Sequence, residues 1–394
     1  MHLNNMISLI IPSYNNLKHL KNVYASILRN APEAEVILLD DGSTDGTWEW
    51  IWNLAEERQH REVKAFKSET RLGHTILYDK GIELATNDIV GILHADMIVG
   101  PNYIENMIKH LAPGKVVCGT RIEPPLHPEG KEKIIRDFGV DFDSLNIEAF
   151  EEFCLKTSLD NKDKTTRGMF APWILYKKDF QAIGGHDPLF APFPYEDSDI
   201  FQRWILNGYE LIQSRDAFVY HLTCRGHRWT DKIGENDDMF KLFEAKAARN
   251  YIRKWGSWIQ NDEYQYPIIT PKYDIGISAT NCTITLVKAL EPWCTRLYVE
   301  DKDGLIDCYI QSEQQNTLYD LHKRVCDLGH NNPDEYQDVV VKLNCNNLTL
   351  EDFNNIQLLP KIIKETNELG KFQIGNLDIE IFSLEENQND LIKL

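Results

Sequence analysis

Three shortages narrow the sequence before any motif is read. No stretch approaches the roughly 18 to 20 consecutive apolar residues that a membrane-crossing helix needs, so no membrane span is expected in the 394 residues. Positive charge is scarce: 42 Lys and Arg stand against 61 Asp and Glu, a net charge of −19. Nucleic-acid partners call for basic stripes, and acids outnumber bases both before and after residue 260, so no nucleic acid is expected as a partner. The eight cysteines form no CxxC pair, which argues against a structural zinc site and for reduced thiols in a cytoplasmic compartment. The opening Met1-His2-Leu3-Asn4-Asn5-Met6 lacks a basic region leading into an apolar core, so no signal peptide is read there. Without one, the glycosylation sequons Asn281-Cys282-Thr283 and Asn347-Leu348-Thr349 are taken as chance matches.

What is present is the composition of an ordinary globular protein, 42% hydrophobic and 26% charged, long enough for two or three domains. Its first half alternates buried-strand and helix patterns. Ser8-Leu9-Ile10-Ile11 runs into Pro12-Ser13-Tyr14, where the proline is expected to stop the strand. A helical pattern follows from Leu17 to Leu28. Val36–Leu39 is a second strand, ending in Asp40-Asp41-Gly42-Ser43, and a helix carries Trp48, Ile51 and Trp52. Lys64–Phe66, a loop at Thr70–His74 and a helix at Ile76–Ala85 come next. The stretch Ile89–Gly100 (IVGILHADMIVG) reads as a fourth buried strand with His94-Ala95-Asp96 at its end. In open α/β sheets that edge is where ligands bind. His94 and Asp96, two apart on an extended chain, can face the same way and form a corner of a divalent-metal or phosphate site. The alternative is a plain solvated strand end.

Four stretches in order resemble the family-2 glycosyltransferases of the GT-A fold: SLIIPSYNN (8–16), LLDDGSTDGT (38–47), RLGHTILYDKGIELATNDIVGILHADMIVGPNYI (71–104) and YEDSDIFQRWILNGYELIQSRDAFVYH (195–221). The resemblance covers about residues 6–230. It implies an α/β, Rossmann-like catalytic domain with a mainly parallel central sheet, and transfer of a sugar from a nucleotide-diphospho-sugar, UDP-linked, to an acceptor hydroxyl on a glycan, glycoprotein or lipid-linked molecule. By resemblance, Pro12, Ser13, Tyr14, Asp40, Asp41, Arg71, Gly73, His94, Ala95, Asp96 and Arg225 would contact the donor. Asp96 and His221 would hold Mn2+ or Mg2+. Asp197 would be the general base of an inverting displacement, with Glu196 orienting the acceptor and Trp173 offering it a stacking platform. The chain departs from the family at His94, where an acid is usual. Each position also has a structural reading: turn chemistry for Asp40 and Asp41, helix capping for Glu196 and Asp197, core packing for Trp173, and a solvated basic patch for Arg225, His227 and Arg228.

Residues 238–258 read as an amphipathic helix with Phe240, Phe243, Ala247, Tyr251 and Trp255 on one side, docked on the catalytic domain. Tyr264–Tyr273 reads as a linker. Beyond it, strand-like runs (275–278, 284–287, 297–299, 306–310, 339–343, 377–382) alternate with helical ones near 316–326 and 351–368. The expected organisation is a catalytic domain over 1–232, a helical extension over 233–262 and a smaller α/β domain over 263–394, the last a candidate for homo-oligomer contacts. Two other readings are weighed: a catalytically inactive GT-A-like carbohydrate-binding or scaffolding protein, motivated by His94, and a nucleotidyltransferase, which lacks its Gly-rich basic phosphate loop here.

Overall fold

A computed structural model of the chain describes residues 7–57, 63–225, 228–230, 232–335 and 337–387. They form two compact units, one of residues 1–244 with 261–268, the other of 245–260 with 269–394.

The first unit comprises β1 (Ile7–Ser13), α1 (Leu17–Asn30), β2 (Glu35–Asp40), α2 (Thr47–Glu57), β3 (Val63–Lys67), α3 (His74–Leu84), β4 (Ile89–Ile92), β5 (Met97–Val99), α4 (Tyr103–Ile108), β6 (Lys115–Glu123), β7 (Lys133–Ile135), α5 (Ile147–Asp160), β8 (Thr165–Thr166), β9 (Trp173–Tyr176), α6 (Lys177–Ala182), α7 (Glu196–Leu206), β10 (Glu210–His221) and the first turns of α8 (Asp238–Trp255). One sheet, ordered β3-β2-β1-β4-β9-β6-β10-β5, runs through it. Strands β3, β2, β1 and β4 are mutually parallel, as are β6 and β10, while β9 lies antiparallel between β4 and β6. The mostly parallel α/β layout is the one expected. Its central strands are buried on both faces, so they read as continuous apolar runs: all seven residues of β1 are buried.

Two expectations need correction here. Strand β1 does not stop at Pro12; it continues to Ser13, with Pro12 paired to Leu39. Ile10 accepts from Leu93 N on the β4 side. Because strand orientation repeats every second residue, the ring nitrogen of Pro12 faces that same side, beyond the last β4 pair at Ile10 and Ile92. The proline therefore gives up no ladder bond. The stretch Ile89–Gly100 is also not one strand. It leaves the sheet after β4, turns through His94–Asp96, and re-enters as β5 against β10, with Met97 opposite His221. Gly91 permits the crowding at this point, since a Cβ there would lie 2.8 Å from the Ile174 side chain of β9.

The second unit contains the rest of α8, then β11 (Ile275–Thr280), α9 (Ile284–Leu290), β12 (Arg296–Val299), α10 (Leu305–Glu313), α11 (Leu321–Arg324), β13 (Val325–Asp327), β14 (Val339–Asn344), α12 (Leu350–Thr366), β15 (Gly370–Ile374) and β16 (Leu377–Ile381). Its sheet runs β13-β12-β11-β14-β16-β15, the first four strands parallel. The runs at 284–287 and 306–310, expected as strands, are helical. Four or five apolar residues do not fix a period, and Thr283 decides the first by accepting a hydrogen bond from Leu286 N as an N-cap. The amphipathic helix forms as α8, but its expected docking holds only for its start. Phe240 and Phe243 pack on Phe193, whereas from Ala245 onward it belongs to the second unit. Tyr264–Tyr273 is not a free linker either. Residues 261–268 belong to the first unit, held by Asp262 to Arg167 at 2.6 Å and by Tyr266 under the same guanidinium.

Candidate active site

Parallel strands aimed the same way bring their carboxyl ends together, and the sequence puts polar residues at each end. Ser13 closes β1, Asp40 closes β2 with Asp41 after it, His94–Asp96 follow β4 and Glu123 closes β6. Around these ends lies a cavity of about 460 Å³. Its lining includes Pro12, Ser13, Tyr14, Asp41, Arg71, His94, Ala95, Asp96, Trp173, Glu196, Asp197, His221 and Arg225. Asp40 and Gly73 are outside this lining; His227 lies outside the described residues.

The nucleotide-end candidates separate into those that face the cavity and those that build its wall. Arg71 stacks its guanidinium 4.0 Å from the Tyr14 ring centre and 5.0 Å from that of Phe193. Asp41 is buried, and its carboxylate accepts from Leu72 N at 2.6 Å and from Gly73 N at 3.0 Å. It thus pins the loop that carries Arg71, though it was expected to receive a base or ribose. Burial raises the Asp41 pKa, and those two amides work against the rise. Asp40 is wholly buried and accepts from Ser43 N, which is turn chemistry. Gly73 serves packing rather than a ligand. Its φ is +84°, and a Cβ would meet Pro192 O at 2.2 Å.

At the centre, His94, Asp96 and His221 bring one ligand atom each within 4.8 Å of one another. Strand β5 makes this possible by pairing with β10, and Leu222 N donates to Asp96 O at 3.1 Å across the same junction. Asp96 Oδ1 is 3.6 Å from His221 Nε2, and Asp96 Oδ2 accepts from Arg225 N at 3.2 Å. His221 Nδ1 is 3.1 Å from Glu123 Oε1. That contact occupies Nδ1 and leaves Nε2 toward Asp96, as a carboxylate behind a metal-binding imidazole does. Two imidazoles and one carboxylate, largely enclosed, could hold a divalent metal ion. Burial alone would raise the Glu123 carboxyl, but the His221 hydrogen bond and the charges of Arg121 and Lys133 hold it well below the usual carboxylate range.

Opposite, α7 begins at Glu196-Asp197. Glu196 Oε1 is 2.5 Å from His74 Nε2. Burial works to raise Glu196, yet the charge and hydrogen bond of His74 hold it below its usual value; by the same pairing His74 is raised despite burial. Asp197, half-buried, is pushed up to about 6 by burial and by the neighbouring Glu196 charge. Helix capping does not account for both acids: Asp197 accepts from Ser198 N, while Glu196 is committed to His74. Trp173 is fully buried, edge-on to Trp204 with ring centres 5.1 Å apart and stacked on Phe180. It has no open face for a sugar, which corrects its expected role as a platform. Only its indole N–H remains without a hydrogen-bond partner.

That last point generalises. Among the described residues, twelve buried side-chain nitrogen or oxygen atoms lack a hydrogen-bond partner. Seven belong to residues of this cavity: Ser13, Arg71, Glu132, Trp173, Glu196, Thr223 and Arg225. Native proteins leave few such atoms unsatisfied, so their concentration marks a place built for a polar ligand. Glu123, His74, Arg121 and Glu132 were not singled out in the sequence. The signal for Glu123 was available, since a charged residue ends the buried β6 run on the ligand-binding edge.

Residues 8–179 match the family model described as Glycosyl transferase family 2. An uncharacterized glycosyltransferase of Nostoc is 28% identical over 112 residues, covering 28% of this chain and 34% of the relative. Glycosyltransferase GlyG of Streptococcus pneumoniae is 32% identical over 107 residues, covering 27% and 35%. The chain thus spans about a third of the length of these curated relatives. Among solved structures, the mannosyltransferase PcManGT of Pyrobaculum calidifontis, in complex with GDP-Man and Mn2+, superposes with a TM-score of 0.43 and 18% identity over 63% of each chain. The match runs from β1 into α6, so it is the sheet-bearing N-terminal part of this chain that is similar to glycosyl transferase family 2.

Proposed function

We propose that the first unit transfers a glycosyl group from a UDP-linked sugar to an acceptor hydroxyl, with inversion at the anomeric carbon. The observation that carries the reading is the meeting, in one cavity lined by unpartnered polar atoms, of the His94–Asp96–His221 cluster and the Glu196-Asp197 pair. The nucleoside end is bounded by Pro12–Tyr14 and by Arg71. Arg71 and Arg225 bring positive charge to the diphosphate, where negative charge grows as the glycosidic bond breaks. His94, Asp96 and His221 would hold Mn2+ or Mg2+, which when bound supplies Lewis-acid stabilisation of the leaving diphosphate. Asp197 takes the proton from the acceptor oxygen. A carboxylate with a pKa of about 6 is mostly ionised at neutral pH yet still basic enough to do so. One such base acting in line with the leaving group inverts the centre. Glu196, kept anionic by His74, remains available through its second, unpartnered oxygen to hold an acceptor hydroxyl.

The test is a screen of UDP-sugars with Mn2+ or Mg2+ for UDP release. Wild-type protein should turn over at least one donor, and Asp96→Ala should abolish turnover. Asp197→Asn should lower it by roughly 10² to 10⁴-fold while leaving UDP binding intact. Full activity in either variant would contradict the assignment.

A further inference from the structure

The second unit carries a feature unrelated to that chemistry. Its strands β11 and β14 lie side by side, and the connections from their carboxyl ends diverge, one toward β12 and the other toward β15 and β16. At this point Cys282 follows β11 and Cys345 follows β14, with their sulfurs 3.3 Å apart and hydrogen-bonded. Sixty-three residues separate the two in sequence.

The approach is fixed by the fold around it. Thr280 pairs with Asn344 at the last rung of the parallel ladder. Neighbouring strands lie about 4.8 Å apart, within the Cα separation that a disulfide spans. Asn281 takes a φ of +56°, a left-handed conformation that asparagine tolerates, and turns the chain back over the strand ends. Its side chain donates to Asn344 Oδ1 at 3.2 Å, and its backbone N–H donates to Glu300. Cys345 is buried and Cys282 half-buried, so a small reagent reaches the pair from the Cys282 side.

We infer that Cys282 and Cys345 form a redox-active dithiol, a modification site that a peroxide closes reversibly into a disulfide joining the ends of β11 and β14. One thiolate attacks the peroxide, the O–O bond breaks, and a sulfenic acid and hydroxide result. The second thiolate then attacks that sulfur, the S–O bond breaks, the S–S bond forms, and the oxygen departs as water. Each sulfur gives up one electron, and the two peroxide oxygens are reduced to water with the protons of the two thiols. Cys282 is the more accessible sulfur and the one a reagent meets first, which assigns the attacking thiolate to Cys282 and the resolving thiol to Cys345 behind it.

The full chain is treated with limiting hydrogen peroxide, its thiols are counted after denaturation, and its peptides are mapped without reduction. The expected result is loss of two of the eight thiols, a Cys282–Cys345 linked peptide, and recovery of both thiols with dithiothreitol. Cys345→Ser should prevent the disulfide and should accumulate a dimedone-trappable sulfenic acid at Cys282. Retention of all eight thiols in wild type, or loss spread over other cysteines, overturns the inference. Mapping of the unmutated chain decides this even where a serine variant fails to fold.

Discussion

The two units use the same layered α/β plan, yet the buried charge cluster of the second and the cavity charges of the first are partnered differently. In the second, Glu291 is fully buried and saturated: Arg253 Nη2 lies 2.8 Å away, Arg324 Nε 2.6 Å and the Tyr309 hydroxyl 2.9 Å. Glu313 and Arg249 extend the same network. Burial would raise Glu291, but the two arginines bring it down to about 2. In the first unit, Glu132 and Glu196 are buried and Arg71 and Arg225 half-buried, yet each keeps a buried polar atom without a partner. A closed network holds a fold in one arrangement. An open one, gathered around a cavity at strand ends, is held in readiness for a ligand. Burial of charge alone does not distinguish a site from a girder; the state of its hydrogen bonds does.

That contrast can be broken experimentally. The largest effect should follow from Glu291→Gln, which leaves Arg253 and Arg324 buried without their anion. Breaking a buried pair in this way costs about 3–5 kcal/mol, read as a lower denaturation midpoint, and a change under about 1 kcal/mol would make the network dispensable. Next is Glu123→Gln, which leaves the shape of the first cavity but removes the anion behind His221. Loss of such a partner weakens metal affinity by roughly 10 to 100-fold, measurable by calorimetric titration with Mn2+ in the absence of donor. Smaller again is the acid limb of turnover. Asp197 is raised to about 6, so if it is the proposed base, kcat/KM should fall as pH drops through about 6, by about tenfold at one unit below. His74 is among the charges that pull Asp197 down, so His74→Gln should move that limb to higher pH.

The strand-end polar residues were legible because a buried parallel strand is an apolar run whose interruption marks its end, as at Asp41 and Asp96. Their partners were not. Glu123 meets His221 only because β6 and β10 pair side by side, and His74 meets Glu196 across 122 residues of sequence. Such juxtapositions belong to topology, which local pattern does not encode. Gly73, expected against the donor, is a glycine because the backbone of Pro192 occupies the space a side chain would need. In the second unit, α9 and α10 were taken for strands since runs as short as 284–287 and 306–310 fit either period.

The proposed function requires the first cavity to be a metal-assisted nucleoside-diphosphate site. The most direct test is calorimetric binding of UDP to the wild-type chain and to Asp96→Ala, each with and without Mn2+. Binding to the wild type should strengthen with Mn2+, and that strengthening should be lost in Asp96→Ala. No UDP binding, or binding indifferent to both Mn2+ and Asp96, would contradict the proposed function.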